Sequence, residues 1–222
     1  MRRAPSSRLV SGVVLGAMIG VAFLGREALP LGLAVGFGAL AWKIFANIQE
    51  RRRLASALEV TRRRWAMLPG ATTNERGIVH VHHDEQPLWI ALSDRSEGLM
   101  AHIALAIRPS AVSLAIWPEG RPRPPLGAEG QAFGGPPMDP APLLTAAIGS
   151  GLRVAAGDED DAARLLDPDV IEPLRIVAEE AKRSFGGLTF DGQRLTIHIT
   201  GPMAGDPERA TWLAKRLWSP WV

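Results

Sequence analysis

The stretch that decides the fold is "GIVHVHHDEQPLWIALSDRSEGLMAHIALAIRPSAVSLAIW", residues 77–117. It holds four short runs in which apolar and polar residues alternate: "IVHVHH", "PLWIAL", "LMAHIALAI" and "AVSLAIW". Turn-forming residues at "DEQP", "SDRSEG" and "RPS" separate these runs. Alternation with a period of two is typical of strands that bury one face. Four such strands in close succession predict an antiparallel meander.

The residues after the meander predict a long loop, then helices and a hairpin. Residues 118–142 are rich in Pro and Gly, which favours an extended loop or linker. Asp167 and Asp206 each precede a proline and an apolar pattern, as N-caps of helices do. Between these helices "GLTFDGQRLTIHIT" predicts a β-hairpin that turns near Asp-Gly. Residues 69–222 are therefore predicted to form a soluble α+β domain of antiparallel strands, then a helix, the hairpin and a C-terminal helix.

Residues 1–48 predict an N-terminal transmembrane α-helical hairpin. Two apolar stretches, residues 9–24 and 28–48, are separated by the short break "GREALP". A bilayer crossing needs about 20 predominantly apolar residues, with a range of about 17–25. The first stretch reaches this length when its flanking arginine stems are included, and the second has Lys43 as its one charge. The alternative for the first stretch is a secretory signal peptide.

Five glycines predict how the two membrane helices would pack. Helices in a bilayer associate by close backbone approach, which small residues permit. The helix-packing glycines are Gly12, Gly16, Gly20, Gly32 and Gly36. A homo-oligomer through the same face is one alternative interpretation, and the general abundance of glycine in membrane helices is another.

Residues 49–68 predict a basic juxtamembrane helix. Its arginine triplets at 51–53 and 62–64 are eleven residues apart, so they share a face. Arg51, Arg52 and Arg53 are the residues predicted to contact anionic lipid head groups. A second face carries an apolar stripe that is expected to pack on the domain, formed by Leu54, Leu58, Thr61, Trp65 and Leu68.

The charge distribution separates these two parts of the chain. Residues 1–64 carry eleven Lys/Arg and three Asp/Glu, whereas residues 65–222 carry fourteen and twenty. The predicted domain is thus acidic, which argues against a nucleic-acid partner. Positive residues in short flanks stay on the cytoplasmic side of a membrane. Because basic residues flank both ends of the predicted hairpin, we expect a multi-pass inner-membrane protein with cytoplasmic N- and C-termini.

The last third of the chain resembles a known kind of module. The segments "AARLLDPDVIEPLR", "GGLTFDGQRLTIHITG" and "DPERATWLAKRLW" are similar to a recurring domain of unknown function in bacterial membrane proteins. That module usually follows two transmembrane helices. The resemblance implies a membrane-attached domain with a terminal hairpin and helix, and it supplies no catalytic residues. The tryptophans of the last segment, Trp212 and Trp218, are expected to anchor the core.

The best candidate for chemistry is "HVHHDE", residues 80–85. His80 and His82 point to one face of a strand, and two neutral imidazoles at this spacing could share a metal ion. The candidates for a further ligand are Asp84, Glu85, His102 and His198. Exposed strand histidines are the commoner outcome, so we expect neither a metal nor another cofactor. The acidic run "DEDD" at residues 158–161 is interpreted as a helix start.

These patterns predict a binding protein rather than an enzyme. The chain contains no cysteine, and it lacks a Walker A lysine and a G-x-S-x-G nucleophile motif. We therefore expect a membrane-anchored, non-catalytic binding or scaffold protein with a cytoplasmic domain. Its expected partners are the lipid bilayer and either another protein or a second copy, but no nucleic acid. The alternative is a membrane-bound hydrolase or metal-dependent enzyme that uses the His80/His82 region.

Overall fold

The computed structural model shows a sheet-rich unit that follows a long helix. The chain divides into two compact units, Met1–Arg53 and Leu54–Val222. The structure describes residues 29–83, 85–95, 98–124, 138–149 and 151–222.

Within these residues the elements are as follows. The helices are α1 (Leu29–Ala66), α2 (Pro142–Ile148), α3 (Glu159–Leu165), α4 (Pro168–Glu180) and α5 (Pro207–Trp218). The strands are β1 (Thr72–Thr73), β2 (Val79–His83), β3 (Gln86–Arg95), β4 (Gly98–Ala106), β5 (Leu114–Pro118), β6 (Asp139–Pro140), β7 (Leu152–Ala156), β8 (Phe185–Phe190) and β9 (Arg194–Thr200). Two 3₁₀ turns, Gly201–Gly205 and Ser219–Trp221, flank α5.

All nine strands form one antiparallel sheet in the order β1-β2-β3-β4-β9-β8-β5-β7-β6. The predicted meander is wrong at its fourth run. "AVSLAIW" contains β5, which pairs with β7 and β8, whereas β9 takes the position beside β4. A strand buried on both faces belongs in the interior of a sheet, and β9 is buried from its second residue to its last. The strand that pairs with β4 on this side is therefore β9, which is far from β4 in the sequence, and not β5, which follows it.

The main core lies on one face of the sheet, under the helices. An unbroken row of buried apolar residues crosses seven strands at this face, each one opposite the next. The row is Val79, Ile90, Ile103, Ile197, Leu188, Ile116 and Val154. Apolar residues of α4 and α5, including Leu174, Leu213 and Leu217, belong to the same cluster. The opposite face carries a smaller buried cluster over β5 and β7, formed by Ala115, Ala155 and Met138.

The C-terminal end of α1 packs on this core, as the apolar stripe predicted. Trp65 is 0% exposed, and its Nε1 donates a hydrogen bond to Ala204 O at 3.0 Å. Thr61 is buried, and Leu58 and Leu68 pack against the cluster while partly exposed. The last turns of α1 are therefore part of the Leu54–Val222 unit.

Aspartate caps begin three helices. The side chains of Asp158, Asp167 and Asp206 accept hydrogen bonds from backbone N–H groups of the first turns of α3, α4 and α5. Proline follows the cap of α4 and of α5, where its missing N–H costs nothing. The predicted caps at Asp167 and Asp206 are confirmed.

The predicted transmembrane hairpin is corrected by the structure. No helix among the described residues combines the length and the apolarity that a bilayer crossing needs. From Leu29 onward, the second predicted segment, residues 28–48, instead forms the first half of α1, which contains Lys43 and continues through Glu50 and the arginine triplet. The first segment, residues 9–24, lies outside the described residues. The predicted fold class with its transmembrane hairpin and the predicted multi-pass inner-membrane localisation are therefore wrong.

The part of α1 that belongs to the first unit exposes several large apolar side chains. Between residues 37 and 48 the large exposed apolar side chains are Phe37, Leu40, Trp42, Ile44, Phe45 and Ile48.

Replacing Trp65 tests whether α1 completes the core. Trp65→Ala is expected to lower the free energy of unfolding by about 3–5 kcal/mol, because it leaves a large cavity in a packed site. Urea unfolding of the whole chain, followed by circular dichroism, measures the loss. Val60→Ala on the exposed side of the same helix is the matched control and should change stability by less than about 0.5 kcal/mol. Equal effects of the two substitutions would show that α1 does not dock on the core.

Candidate functional site

The centre of the sheet brings two histidines from distant parts of the chain together. His102 of β4 lies opposite His198 of β9. Further along the same ladder Ile107 lies directly opposite Gln193, and its N–H donates a hydrogen bond to Gln193 O at 3.1 Å. Hydrogen-bonded and non-hydrogen-bonded pairs alternate along an antiparallel ladder, so His102 and His198 form a non-hydrogen-bonded pair. Such pairs bring Cα atoms to about 4.5 Å and their side chains into contact.

The two rings form the middle of a buried polar chain across four strands. The two Nδ1 atoms are 2.7 Å apart. His102 Nε2 lies 2.7 Å from Ser93 Oγ of β3, and His198 Nε2 lies 3.0 Å from Thr189 Oγ1 of β8. We call these four residues the histidine row. His102 is 3% exposed and His198 is 0% exposed.

The histidine row can hold strands together, but it is poorly placed for catalysis. Between the two Nδ1 atoms one ring donates a proton and the other accepts, so each ring satisfies its partner. Both Nε2 atoms have a hydroxyl within hydrogen-bond distance, which completes the pairing of the four ring nitrogens. A substrate does not reach rings that are this deeply buried. Satisfied buried networks rigidify a core and specify its arrangement.

Among the predicted metal candidates the structure brings His102 and His198 together, but it does not bring them together with His80 and His82. His80 lies on the ring of Trp89 in an edge-on contact, and its Nε2 is 3.5 Å from Asn74 Nδ2. His82 is exposed, and the predicted ligand Asp84 lies outside the described residues. Among the residues that the structure describes, no three His, Asp or Glu side chains form a group that could hold a metal ion.

The other predicted site residues have the following positions. Gly32 and Gly36 lie within α1, and Gly12, Gly16 and Gly20 lie outside the described residues. Arg51, Arg52 and Arg53 are exposed on α1, and their contact with anionic lipid stays a prediction. In the second triplet, Arg64 Nη1 donates to Gly205 O at 3.3 Å. In "DEDD", Glu159 Oε1 accepts from the N–H groups of Leu143 and Leu144 at the start of α2.

At one edge of the sheet, beside α5, no described strand covers the end of β2. Asn74 N–H donates to Ile78 O at 3.1 Å, and Ile78 N–H donates to Asn74 Oδ1 at 3.0 Å, so both backbone groups of Ile78 point away from β3. Backbone groups of successive strand residues alternate in direction, so those of His80 and His82 point the same way. Thr72 of β1 pairs with His80. No described strand pairs with His82 on this side.

A groove of about 450 Å³ lies between this open edge and α5. We call it the edge groove. One side of the groove is formed by β2, with Val81, His82 and His83. The groove is also lined by Leu68 and Pro69, which precede β1. The side formed by α5 consists of Pro207, Glu208, Thr211, Trp212 and Lys215.

Two side chains of α5 give the edge groove its character. Thr211 is 7% exposed, and its Oγ1 is buried with no hydrogen-bond partner among the described residues. Trp212 is 55% exposed, and the Arg216 guanidinium lies 5.0 Å from its ring centroid. Arg216 is held by Glu180 of α4 at 2.9 Å. The groove therefore offers an aromatic surface on a side chain that is contacted by Arg216.

The edge groove was not predicted from the sequence, because Trp212 was expected to lie in the core. Trp218 is buried as expected, but Trp212 is exposed and that prediction is wrong. The spacing of the apolar residues along α5 indicates that Trp212 is exposed. The buried residues of α5 include Ala210, Leu213, Ala214 and Leu217, a stripe of one helical face that leaves Trp212 outside. The open edge of β2 had no sequence signal, since it depends on how far β1 extends.

Comparisons with known proteins give one structural similarity. No protein-family model matches the chain, and no curated protein is detectably similar to it in sequence. Among solved structures, the chain is similar to the mycobacterial trehalose monomycolate transport factor A, TtfA, with 12% identity and a TM-score of 0.49. The match covers 73% of this chain and 93% of that chain. At this score the similarity says nothing about what this chain binds.

A double-mutant cycle tests the histidine row. His102→Ala and His198→Ala should each lower the free energy of unfolding by about 1–3 kcal/mol, because each leaves its buried partner unsatisfied. The double variant should fall short of the sum by about 0.5–3 kcal/mol, as contacting residues do. Urea unfolding measures all three, with exposed His82→Ala as the control that stays within about 0.5 kcal/mol of the wild type. Additive losses would mean that the two rings do not interact.

Proposed function

We propose that the chain is a non-catalytic binding protein whose ligand occupies the edge groove. The observation that carries this proposal is Trp212, which lines the groove, is 55% exposed and has the Arg216 guanidinium 5.0 Å from its ring centroid. A ligand that covers this ring would remove its apolar surface from water.

The dimensions and lining of the edge groove support the same proposal. Ligand sites occupy roughly 300–1,000 Å³ and combine an apolar lining with a few polar groups. The edge groove has about 450 Å³, with Leu68, Val81 and Trp212 beside Thr211 and two charged residues. Tryptophan is enriched among the residues that dominate binding energy at protein interfaces. An exposed tryptophan held by Arg216 is thus a suitable anchor for a protein partner.

The alternative, a hydrolase or metal-dependent enzyme at the His80/His82 region, has weaker support. The described residues offer no set of three metal-ligating side chains there. The histidines that do interact closely, His102 and His198, are buried in the sheet and paired with hydroxyl groups. We therefore place binding, rather than catalysis, at the edge groove.

Selection from a phage-displayed library of random linear peptides tests the proposed function. Peptides selected on the whole chain should bind Trp212→Ala about thirtyfold more weakly, because loss of an anchor of this kind costs about 2 kcal/mol. Titration calorimetry with the synthetic peptides measures the ratio. Leu143→Ala is the control, since it removes an exposed apolar side chain of α2 that does not line the groove. A library that yields no binders, or binders indifferent to Trp212→Ala, would refute the proposal.

A further inference from the structure

We propose that the histidine row is an acid-sensitive contact, which joins the first four strands of the sheet to the other five at neutral pH and is broken by protonation in mild acid. The inference concerns the centre of the sheet, so it does not depend on a ligand in the edge groove. Three observations support it: the facing ring nitrogens of His102 and His198, the burial of both rings, and the arginines near them.

The distance between the two rings limits how many protons they can hold. The two Nδ1 atoms are 2.7 Å apart, so one of them donates a proton and the other accepts it. A neutral pair fits this contact. One added proton also fits, because both Nε2 atoms can then donate to the hydroxyl oxygens of Ser93 and Thr189. A second added proton would set two Nδ1–H groups against each other, and the contact would break.

Burial makes every added proton costly in the folded chain. His102 is 3% exposed and His198 is 0% exposed. Burial disfavours the charged form of an ionisable group, and a second positive charge nearby disfavours it further. In the unfolded chain both rings lie in water and take up protons near pH 6.5. Acid below about pH 6.5 therefore adds up to two protons to these rings in the unfolded chain, but at most one in the folded chain.

Two arginines beside the row add to this cost. Alternate residues of a strand share a face, so Arg194 and Thr200 lie on the same face of β9 as His198. Arg121, which follows β5, donates from Nη1 to Thr200 Oγ1 at 2.9 Å. The Arg194 guanidinium lies 5.6 Å from the ring centroid of Trp89. Each of these cations disfavours a further positive charge on the histidines.

This face of the sheet carries further titratable and charged groups. They are His80 and His82 of β2, Arg153 of β7 with its ion-pair partner Glu119 at 2.7 Å, and Arg123, which donates to Met138 O at 2.9 Å. Together with Arg121 and Arg194, these described groups include four arginines and one carboxylate. Their summed charge is positive, so it also disfavours protonation of the row.

Folding stability should therefore fall as the pH falls below about 6.5. The unfolding equilibrium constant rises about tenfold per pH unit for each proton that the unfolded chain holds and the folded chain does not. Between pH 6 and pH 5 the row should contribute a rise of about tenfold if it holds one proton when folded, and of about a hundredfold if it holds none. Because β4 and β9 form the ladder between the two groups of strands, loss of their contact opens the sheet.

Urea unfolding of the whole chain at pH 7, 6 and 5 tests this dependence. The double variant His102→Asn with His198→Asn replaces both rings by amides, which take up no proton and keep a hydrogen-bonding group near each Nδ1 position. Between pH 6 and pH 5 the unfolding constant of the wild type should rise about tenfold to a hundredfold more than that of the double variant. The matched control, His80→Asn with His82→Asn, should keep the pH dependence of the wild type. Equal pH dependence of the wild type and the His102/His198 variant would overturn the inference.

Nuclear magnetic resonance of the ring nitrogens in ¹⁵N-labelled wild type decides the question if the double variant does not fold. The chemical shift of each ring nitrogen reports whether that nitrogen carries a proton. From pH 8 to pH 5 the folded chain should keep one proton between the two Nδ1 atoms and take up at most one more. Lack of a proton between these atoms, or full protonation of both rings while the backbone spectrum remains that of the folded chain, would overturn the inference. A shared Nδ1 proton, together with the steeper acid dependence of the wild type, supports it.

Discussion

The pairing of β4 with β9 is the constraint on which the rest of the described structure depends. It is the ladder that joins the first four strands of the sheet to the other five. The histidines that meet there are 96 positions apart in the sequence. Closing a loop of this length carries an entropic cost, which the burial of β4 and β9 on both faces offsets. The same ladder positions the groove, because α5 follows β9 through a 3₁₀ turn and lies beside β2.

Both faces of the sheet centre are buried, and they are filled differently. One face carries the apolar row from Val79 to Val154. The other face carries the histidine row, where hydrogen bonds replace apolar contact. Since successive side chains of a strand alternate between faces, a slip of β9 by one residue would place His198 in the apolar core and separate it from His102. The histidine row therefore fixes the register between β4 and β9, whereas the apolar row supplies the main contact area.

Local patterns in the sequence predicted local structure, and nonlocal contacts decided the remainder. Period-two alternation located β2, β3 and β4, and the caps at Asp167 and Asp206 located two helices. The stripe through Trp65 correctly placed the end of α1 on the core. Strands far apart in the chain determine the neighbour of β4 and the His102–His198 contact, so no local pattern predicts either. The uncovered edge at His82 depends on where β1 begins, which no local pattern predicts. The predicted membrane hairpin is wrong because no helix among the described residues has both the length and the apolarity of a bilayer crossing.

The most direct test of the central claim is the nuclear Overhauser effect between the Hα protons of His102 and His198 in the isotopically labelled whole chain. Their placement as a non-hydrogen-bonded antiparallel pair brings the two Cα atoms to about 4.5 Å, with both Hα protons between the strands. The structure predicts a strong cross-peak between these protons. Absence of that cross-peak, with one from His102 Hα to a different residue of β9, would show another register and contradict the account of both the core and the groove.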